Sequence, residues 1–278
     1  MKKLLFILML CLPLLCNGQT RKPARESLYL LGPNGSIYTE IHYPKGFDKA
    51  KGKYPVAVLM HGLTCTIHTP PVPVLRKMLT DKGYVCVLFD FDAHGRSGGD
   101  ILENTMLTEI EDADLVCRYM RTREYAGELV FLGHSQGGLI AAMLAARMEK
   151  SGCPPKGIVL LAPGTAVQDY ARKGRFVWVH ADPDNLPDWI QILWIRLGKK
   201  YLQTTQTLPI FELSAGFTGP VCMLQGTLDE FMPYHCNDGY AEAFSNCTYH
   251  VIPGEDHLFL LRTCKMKSIV ADFLSNLD

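Results

Sequence analysis

The chain has 278 residues, 47% of them hydrophobic, with 28 lysines and arginines against 28 aspartates and glutamates and a pI near 7.1. Neutrality argues against nucleic-acid binding, which calls for a basic excess, and the apolar fraction with its 12 Phe, 12 Tyr and 3 Trp argues against disorder. A chain this long buries roughly three quarters of its unfolded surface, so it folds without a disulfide or metal staple and fits one α/β domain. In chain order, the first element is an export signal. Lys2 and Lys3 form a positive start, residues 4–15 are almost unbrokenly apolar, and Cys16-Asn17-Gly18 puts small side chains at the −3 and −1 positions of a cut before Gln19. The run is too short to span a bilayer comfortably. A lipid anchor on Cys16 would want a small residue where Leu15 stands. The expectation is therefore cleavage, export to the periplasm or medium, and no stable membrane anchor. Losing Lys2 and Lys3 leaves 26 basic residues against 28 acidic ones.

Strands over 27–31 and 37–43 flank the turn Gly32-Pro33-Asn34-Gly35. A buried strand over 54–60 precedes a helix over 74–82, a second over 84–91 precedes a helix over 106–121, and a third over 129–132 precedes a helix over 136–149. Strands over 157–161, 221–224 and 248–252 continue the series, and a helix over 258–274 closes it. Repeated β-then-α order with continuously apolar strands predicts a mostly parallel sheet covered on both faces. Cys86, Cys117 and Cys222 lie in apolar segments and read as small buried hydrophobes. Cys65, Cys153, Cys236, Cys247 and Cys264 are the disulfide candidates, with no pairing implied; no zinc spacing occurs.

Residues 163–213 break the alternation and contain all three tryptophans, Trp178, Trp189 and Trp194. A structureless loop of that length is unusual in a compact domain, so an insertion with its own short elements is expected. It serves either as a peripheral subdomain or as a lid with an aromatic-lined pocket. Its place relative to the chemistry favours the lid.

That chemistry starts at Gly133-His134-Ser135-Gln136-Gly137. A strand runs into this G-x-S-x-G motif and a helix leaves it, and glycine on both sides of the serine lets neighbouring backbone approach without a Cβ. Chance would supply only about 0.07 such matches here. A serine hydroxyl needs a base held by a third group. His257 follows the last predicted strand, and Asp229 follows the strand over 221–224. Glu230 and Asp256 compete with Asp229, but the order Ser135, Asp229, His257 is that of an α/β-hydrolase. The oxyanion would be met by the amide of Gln136 and by that of Leu63, in the loop His61-Gly62-Leu63. His61 reads as a loop brace.

With these motifs in hand, the chain resembles the cinnamoyl (feruloyl) esterase group of the α/β-hydrolases. The resemblance is carried by His61-Gly62, the stretch FDFDAHGRSGG over 89–99, the GHSQGG elbow, Asp229 and His257. It extends through Asn185-Leu186-Pro187-Asp188, Leu208-Pro209-Ile210-Phe211-Glu212 and Phe217-Thr218-Gly219-Pro220-Val221-Cys222, hence over nearly all of the mature chain. It implies an α/β-hydrolase fold whose insertion forms a small lid over the serine, with aromatic and acidic side chains that receive a phenolic ring. Asp169 and Tyr201 are the substrate-binding candidates on this basis. The chain departs from the family's pattern over 172–179, where basic and bulky residues replace polar, glycine-rich ones.

The resulting expectation is a secreted serine carboxylic ester hydrolase acting on hydroxycinnamoyl esters of plant cell-wall sugars. No phosphate-cradling loop or metal spacing occurs, so no cofactor is invoked. A lipase or monoacylglycerol hydrolase with the same triad, a serine peptidase and a non-catalytic binding protein on this fold are the alternatives. The expected partner is a small-molecule or oligosaccharide ester; the oligomeric state is open.

Overall fold

The computed structural model describes residues 25–176 and 178–277. The predicted signal, 1–18, lies outside them. β1 (Arg25–Leu31) and β2 (Ser36–His42) pair antiparallel, and Gly32 N donates to Gly35 O at 2.8 Å in the turn between them. β3 (Tyr54–Met60) leads to α1 (Val72–Asp81), β4 (Val85–Phe89) to α2 (Met106–Arg121), and β5 (Ala126–His134) to α3 (Gln136–Lys150). α2 starts at a capping box in which Thr105 and Thr108 each bond the other's main-chain N–H. β6 (Gly157–Leu161) ends the first half of the sheet.

The insertion then builds its own short elements, as its length required. They are α4 (Ala166–Arg172), the two-residue strands β7 (Arg175–Phe176) and β8 (Val179–His180), the hairpin β9 (Trp189–Ile192) and β10 (Ile195–Gly198), α5 (Lys199–Thr207) and α6 (Ile210–Ser214). None of its strands joins the main sheet. Phe176, Ile190, Ile192, Leu197 and Tyr201 are nevertheless buried in one continuous core with α2 and α3, so the insertion is packed down on the domain. β11 (Val221–Gly226), α7 (Asp238–Glu242), β12 (Cys247–Ile252) and α8 (Thr263–Ser275) complete the chain.

The eight-stranded sheet runs β1-β2-β4-β3-β5-β6-β11-β12, with β4 to β12 parallel and β2 antiparallel to β4. Alternate residues serve opposite faces. Val56, Val58, Met60 and Phe131 pack with α2 and α3, while Ala57, Leu59, Leu132 and Leu224 pack with α1 and α8. Covering both faces is why these strands read as unbroken apolar runs. Cys86, Cys117 and Cys222 are fully buried, and all eight cysteines among the described residues are free thiols.

α8 begins five residues later than the apolar pattern predicts. The buried Glu255 carboxylate accepts the amides of Asp256, Leu261 and Arg262, and Phe259 takes a positive φ of 57°. These bonds hold 256–262 as a loop, and that loop carries His257. Because the six strands β3, β4, β5, β6, β11 and β12 are parallel, the loops after β3, β5, β11 and β12 all emerge on one rim of the sheet.

Candidate active site

Ser135 stands between β5 and α3 with φ 53° and ψ −120°, a region that costs a non-glycine residue about 1–3 kcal/mol and persists only where the surroundings over-determine it. Here they do. Ser135 N donates to Leu161 O at 2.9 Å, and Ser135 O accepts the amides of Gly138 at 2.9 Å and Gly164 at 3.1 Å. The flanking glycines are obligatory. A Cβ on Gly133 would sit 2.2 Å from Gly137 O, and one on Gly137 would sit 2.4 Å from His61 O. The serine is thereby presented, partly exposed, at the N-terminus of a 15-residue helix.

Asp229 and His257 meet on the same rim. His257 Nδ1 lies 2.7 Å from Asp229 Oδ2. The carboxylate also accepts Gln225 Nε2 at 2.8 Å and the amides of Phe231 and Met232 at 2.9 and 2.7 Å. Burial by itself would raise its pKa, but the bond to His257, that ring's charge and the other donors outweigh it and hold Asp229 below the ordinary carboxylate value. Of its competitors, Glu230 is exposed and Asp256 caps its own loop by accepting Leu260 N at 3.0 Å. Neither reaches the imidazole. Phe231 packs against the His257 ring at a centroid distance of 5.2 Å.

The loop after β3 closes on the serine, since a Cβ on Gly62 would lie 3.0 Å from Ser135 Cβ. His61 accepts Phe91 N through Nε2 at 3.1 Å, so its Nδ1 carries the proton and donates to Gly62 O at 2.8 Å. Burial, with the neighbouring His94, pushes its pKa down to about 3 and keeps it a neutral brace. Hydrogen bonds among the described residues leave the amides of Leu63 and Gln136 without an acceptor.

The two residues taken as phenol-binding lie elsewhere. Asp169 is on the outer face of α4, its carboxylate mostly in solvent and paired with Lys173 at 2.7 Å, one helical turn on. Tyr201 is 1% exposed, beneath the elbow, with its hydroxyl donating to Gln136 Oε1. Neither lines the cleft beside the site. That cleft, of about 270 Å³, is lined by Leu63, Val167, Tyr170, Phe176, Ile192, Phe231 and Met232 and by the exposed Arg175, Trp178 and Glu230. The cleft itself is lined by none of Ser135, Asp229 and His257 and adjoins them through Leu63 and through Phe231, whereas two larger grooves, beside α5 and beside α1, lack even these neighbours.

Other residues that hold the site were not singled out from sequence. His134 Nε2 donates to the carbonyl of His257 at 2.8 Å, joining the elbow to the histidine loop, and burial pushes its pKa down to about 3. Gln225, the one polar side chain within β11, positions Asp229 and is held in turn by Asn237 Nδ2 at 2.7 Å. A polar residue ending an apolar strand was the available signal. Trp194 Nε1 donates to Thr64 O at 3.0 Å, pinning the β9–β10 turn onto the loop of Leu63.

A family model described as serine aminopeptidase, S33, matches residues 54–191, which include the elbow. In structure, Est1E from Butyrivibrio proteoclasticus with ferulic acid bound superposes with a TM-score of 0.83 at 23% identity, over 90% of this chain and 98% of that one. The chain belongs to the α/β-hydrolase superfamily. A second member, XC6422 from Xanthomonas campestris, described as a serine hydrolase without lid, superposes with a TM-score of 0.64 at 18% identity, over 91% and 94% of the two chains. Among curated sequences, the lysophosphatidylserine lipase ABHD12 of Danio rerio is 24% identical over 84% of this chain, and human Protein ABHD12B is 26% identical over 80%. The chain spans about 60% of the length of either relative.

Proposed function

We propose that this α/β-hydrolase is a serine carboxylic ester hydrolase in which Ser135 is the nucleophile, His257 the general base and Asp229 the residue that orients it. The observation that carries this reading is the 2.7 Å contact between Asp229 and His257 on the rim that also presents the strained elbow serine. His257 Nε2 takes the proton of Ser135 Oγ as that oxygen attacks the ester carbonyl. The Leu63 and Gln136 amides receive the oxyanion in a position fixed before reaction, which is where such donors contribute most. His257 then gives the proton to the departing alcohol. Water, deprotonated by the same imidazole, releases the acid and restores the serine.

The acid portion is taken to lie in the cleft leading from Leu63. Aromatic side chains at Tyr170, Phe176, Trp178 and Phe231 suit a flat aryl group, whose ring contacts add about 0.5–1.5 kcal/mol beyond burial. Together with the likeness to a ferulic-acid-binding esterase, this supports hydroxycinnamoyl esters as the substrate class. The insertion acts as the outer wall and lid of that cleft, and the segment 1–18 exports the protein. A second reading, a monoacyl lipid ester, is favoured by the curated lipase relatives and by the exposed apolar Trp178, Leu193 and Trp194 on the insertion.

The test is a fluorophosphonate probe with mass spectrometry, followed by an ester panel. Wild-type protein is expected to be labelled at Ser135 alone, and Ser135→Ala to lose hydrolysis with its Tm nearly unchanged. Methyl ferulate and methyl p-coumarate are expected to be cleaved with higher kcat/KM than long-chain p-nitrophenyl esters or lysophosphatidylserine. The reverse order selects the lipid reading. Labelling at another serine removes the nucleophile assignment.

A further inference from the structure

Gln136, the residue directly after Ser135, is anchored through its side chain. Its side chain is 3% exposed and turned inward, and both ends of its amide are engaged by other elements. Its Oε1 accepts the hydroxyl of Tyr201, from α5 of the insertion. Its Nε2 donates to Glu109 Oε2 at 2.7 Å, from α2 of the main body. Tyr201 and Glu109 are each 1% exposed. Asn104 Nδ2 stands behind, 3.4 Å from Glu109 Oε1 and 2.5 Å from Asp92 Oδ1. A primary amide with its carbonyl and its NH2 both held in a dry site has one available rotamer.

We propose that Tyr201 and Glu109 are positioning residues for the oxyanion donor, acting through the Gln136 side chain and making the aim of its main-chain N–H depend on the seating of the insertion. The inference rests on the reading of Ser135 as nucleophile. The N–H in question belongs to the Ser135–Gln136 peptide unit, and that unit is gripped at both ends. At one end its carbonyl, Ser135 O, accepts Gly164 N at 3.1 Å, at the very start of the insertion, and Gly138 N at 2.9 Å. At the other end, the Gln136 side chain is fixed by Tyr201, nearly forty residues later in the same insertion. The strained backbone at Ser135 supplies the need, because a conformation of that kind relaxes when its supports loosen. A small tilt of this peptide carries the N–H off the line to the oxyanion, where hydrogen-bond strength falls steeply with angle.

The experiment compares wild type with Tyr201→Phe, Glu109→Leu and Glu109→Gln, using p-nitrophenyl acetate, whose acetyl group is too small to need the aromatic cleft. Tyr201→Phe and Glu109→Leu should each lower kcat roughly tenfold with KM unchanged, less than the roughly 10²–10³-fold lost when an oxyanion donor is removed outright. Glu109→Gln keeps a carbonyl acceptor for Gln136 Nε2 and should restore most of the rate. Tm is measured beside each rate. A merely structural role would lower Tm and leave kcat of the folded enzyme untouched, and that result overturns the proposal. So does a loss confined to KM. Should Glu109→Leu not fold, Tyr201→Phe, which removes a single oxygen, decides alone. Wild-type protein that is neither labelled at Ser135 nor active would instead bring down the reading of the nucleophile, and this inference with it. An active, labelled wild type with an unaffected Tyr201→Phe brings down only the inference.

Discussion

Asp229 engages four donors with two oxygens, which fixes its carboxylate in the plane that meets His257 Nδ1. An asparagine there would present either an NH2 to the Nδ1 proton or a weaker neutral acceptor, and the imidazole would lose its orientation and its preferred tautomer. Asp229→Asn is therefore expected to lower kcat by on the order of 10⁴. Glu230, one residue on, is an exposed residue lining the cleft and bonds neither the imidazole nor Gln225. Glu230→Gln is expected to keep kcat for p-nitrophenyl acetate within about threefold of wild type, as befits an exposed carboxylate whose charge is screened. Steady-state kinetics on the two variants checks the assignment, and comparable losses would move the orienting role away from Asp229.

The elbow, as an element, is where three chain segments touch without side chains between them. A methyl group on Gly137 would lie 2.4 Å from His61 O and 2.5 Å from Met60 O, both main-chain atoms at the end of β3. Gly137→Ala should therefore destabilise by at least about 1–3 kcal/mol and lower Tm measurably. Gly216→Ala should not, since its nearest neighbour would be the Ala146 methyl at 3.4 Å. An unchanged Tm for Gly137→Ala would show that the strand and helix can part at little cost. This same crowding is why the elbow was legible in sequence, as was the order of Ser135, Asp229 and His257: the local packing leaves its mark as glycines at set positions. β3, α2 and β6 were likewise legible from end to end, because turn residues or a capping threonine bound their apolar patterns. The start of α8 was not, because Leu258, Leu260 and Leu261 continue a helical pattern that the buried Glu255 carboxylate overrides. Asp169 had its partner within reach of reading, with Lys173 one turn away. The burial of Tyr201 under Gln136 joins residues 65 apart and leaves no local trace.

Across the whole molecule, a buried acidic knot ties the antiparallel edge of the sheet to the helical layer. Asn34, in the β1–β2 turn, donates to Asp92 Oδ2 at 2.6 Å, and Asp92 N donates to Asp112 Oδ2 at 2.9 Å, on α2. Asp92, Glu109 and Asp112 are all 0–1% exposed, and Asp112 Oδ1 has no hydrogen-bond partner among the described residues. Burial first, and the Asp92 charge second, push the pKa values of Glu109 and Asp112 upward. A carboxyl whose folded pKa exceeds its unfolded value binds its proton more tightly in the native state, so its contribution is complete below the unfolded value, about 4, and is lost as pH rises through the folded one. Tm is accordingly expected to fall on the alkaline side in a scan between about pH 5 and pH 9. Asp112→Asn should flatten that fall. Its carbonyl oxygen still accepts Asp92 N, its NH2 can donate to the Asp92 carboxylate, and no charge remains to be buried. Differential scanning calorimetry of both proteins across the range supplies the check. Parallel Tm–pH curves would mean that Asp112 is not among the groups that take up or release a proton on unfolding, and the alkaline loss would then belong to Glu109 or to carboxylates outside the knot.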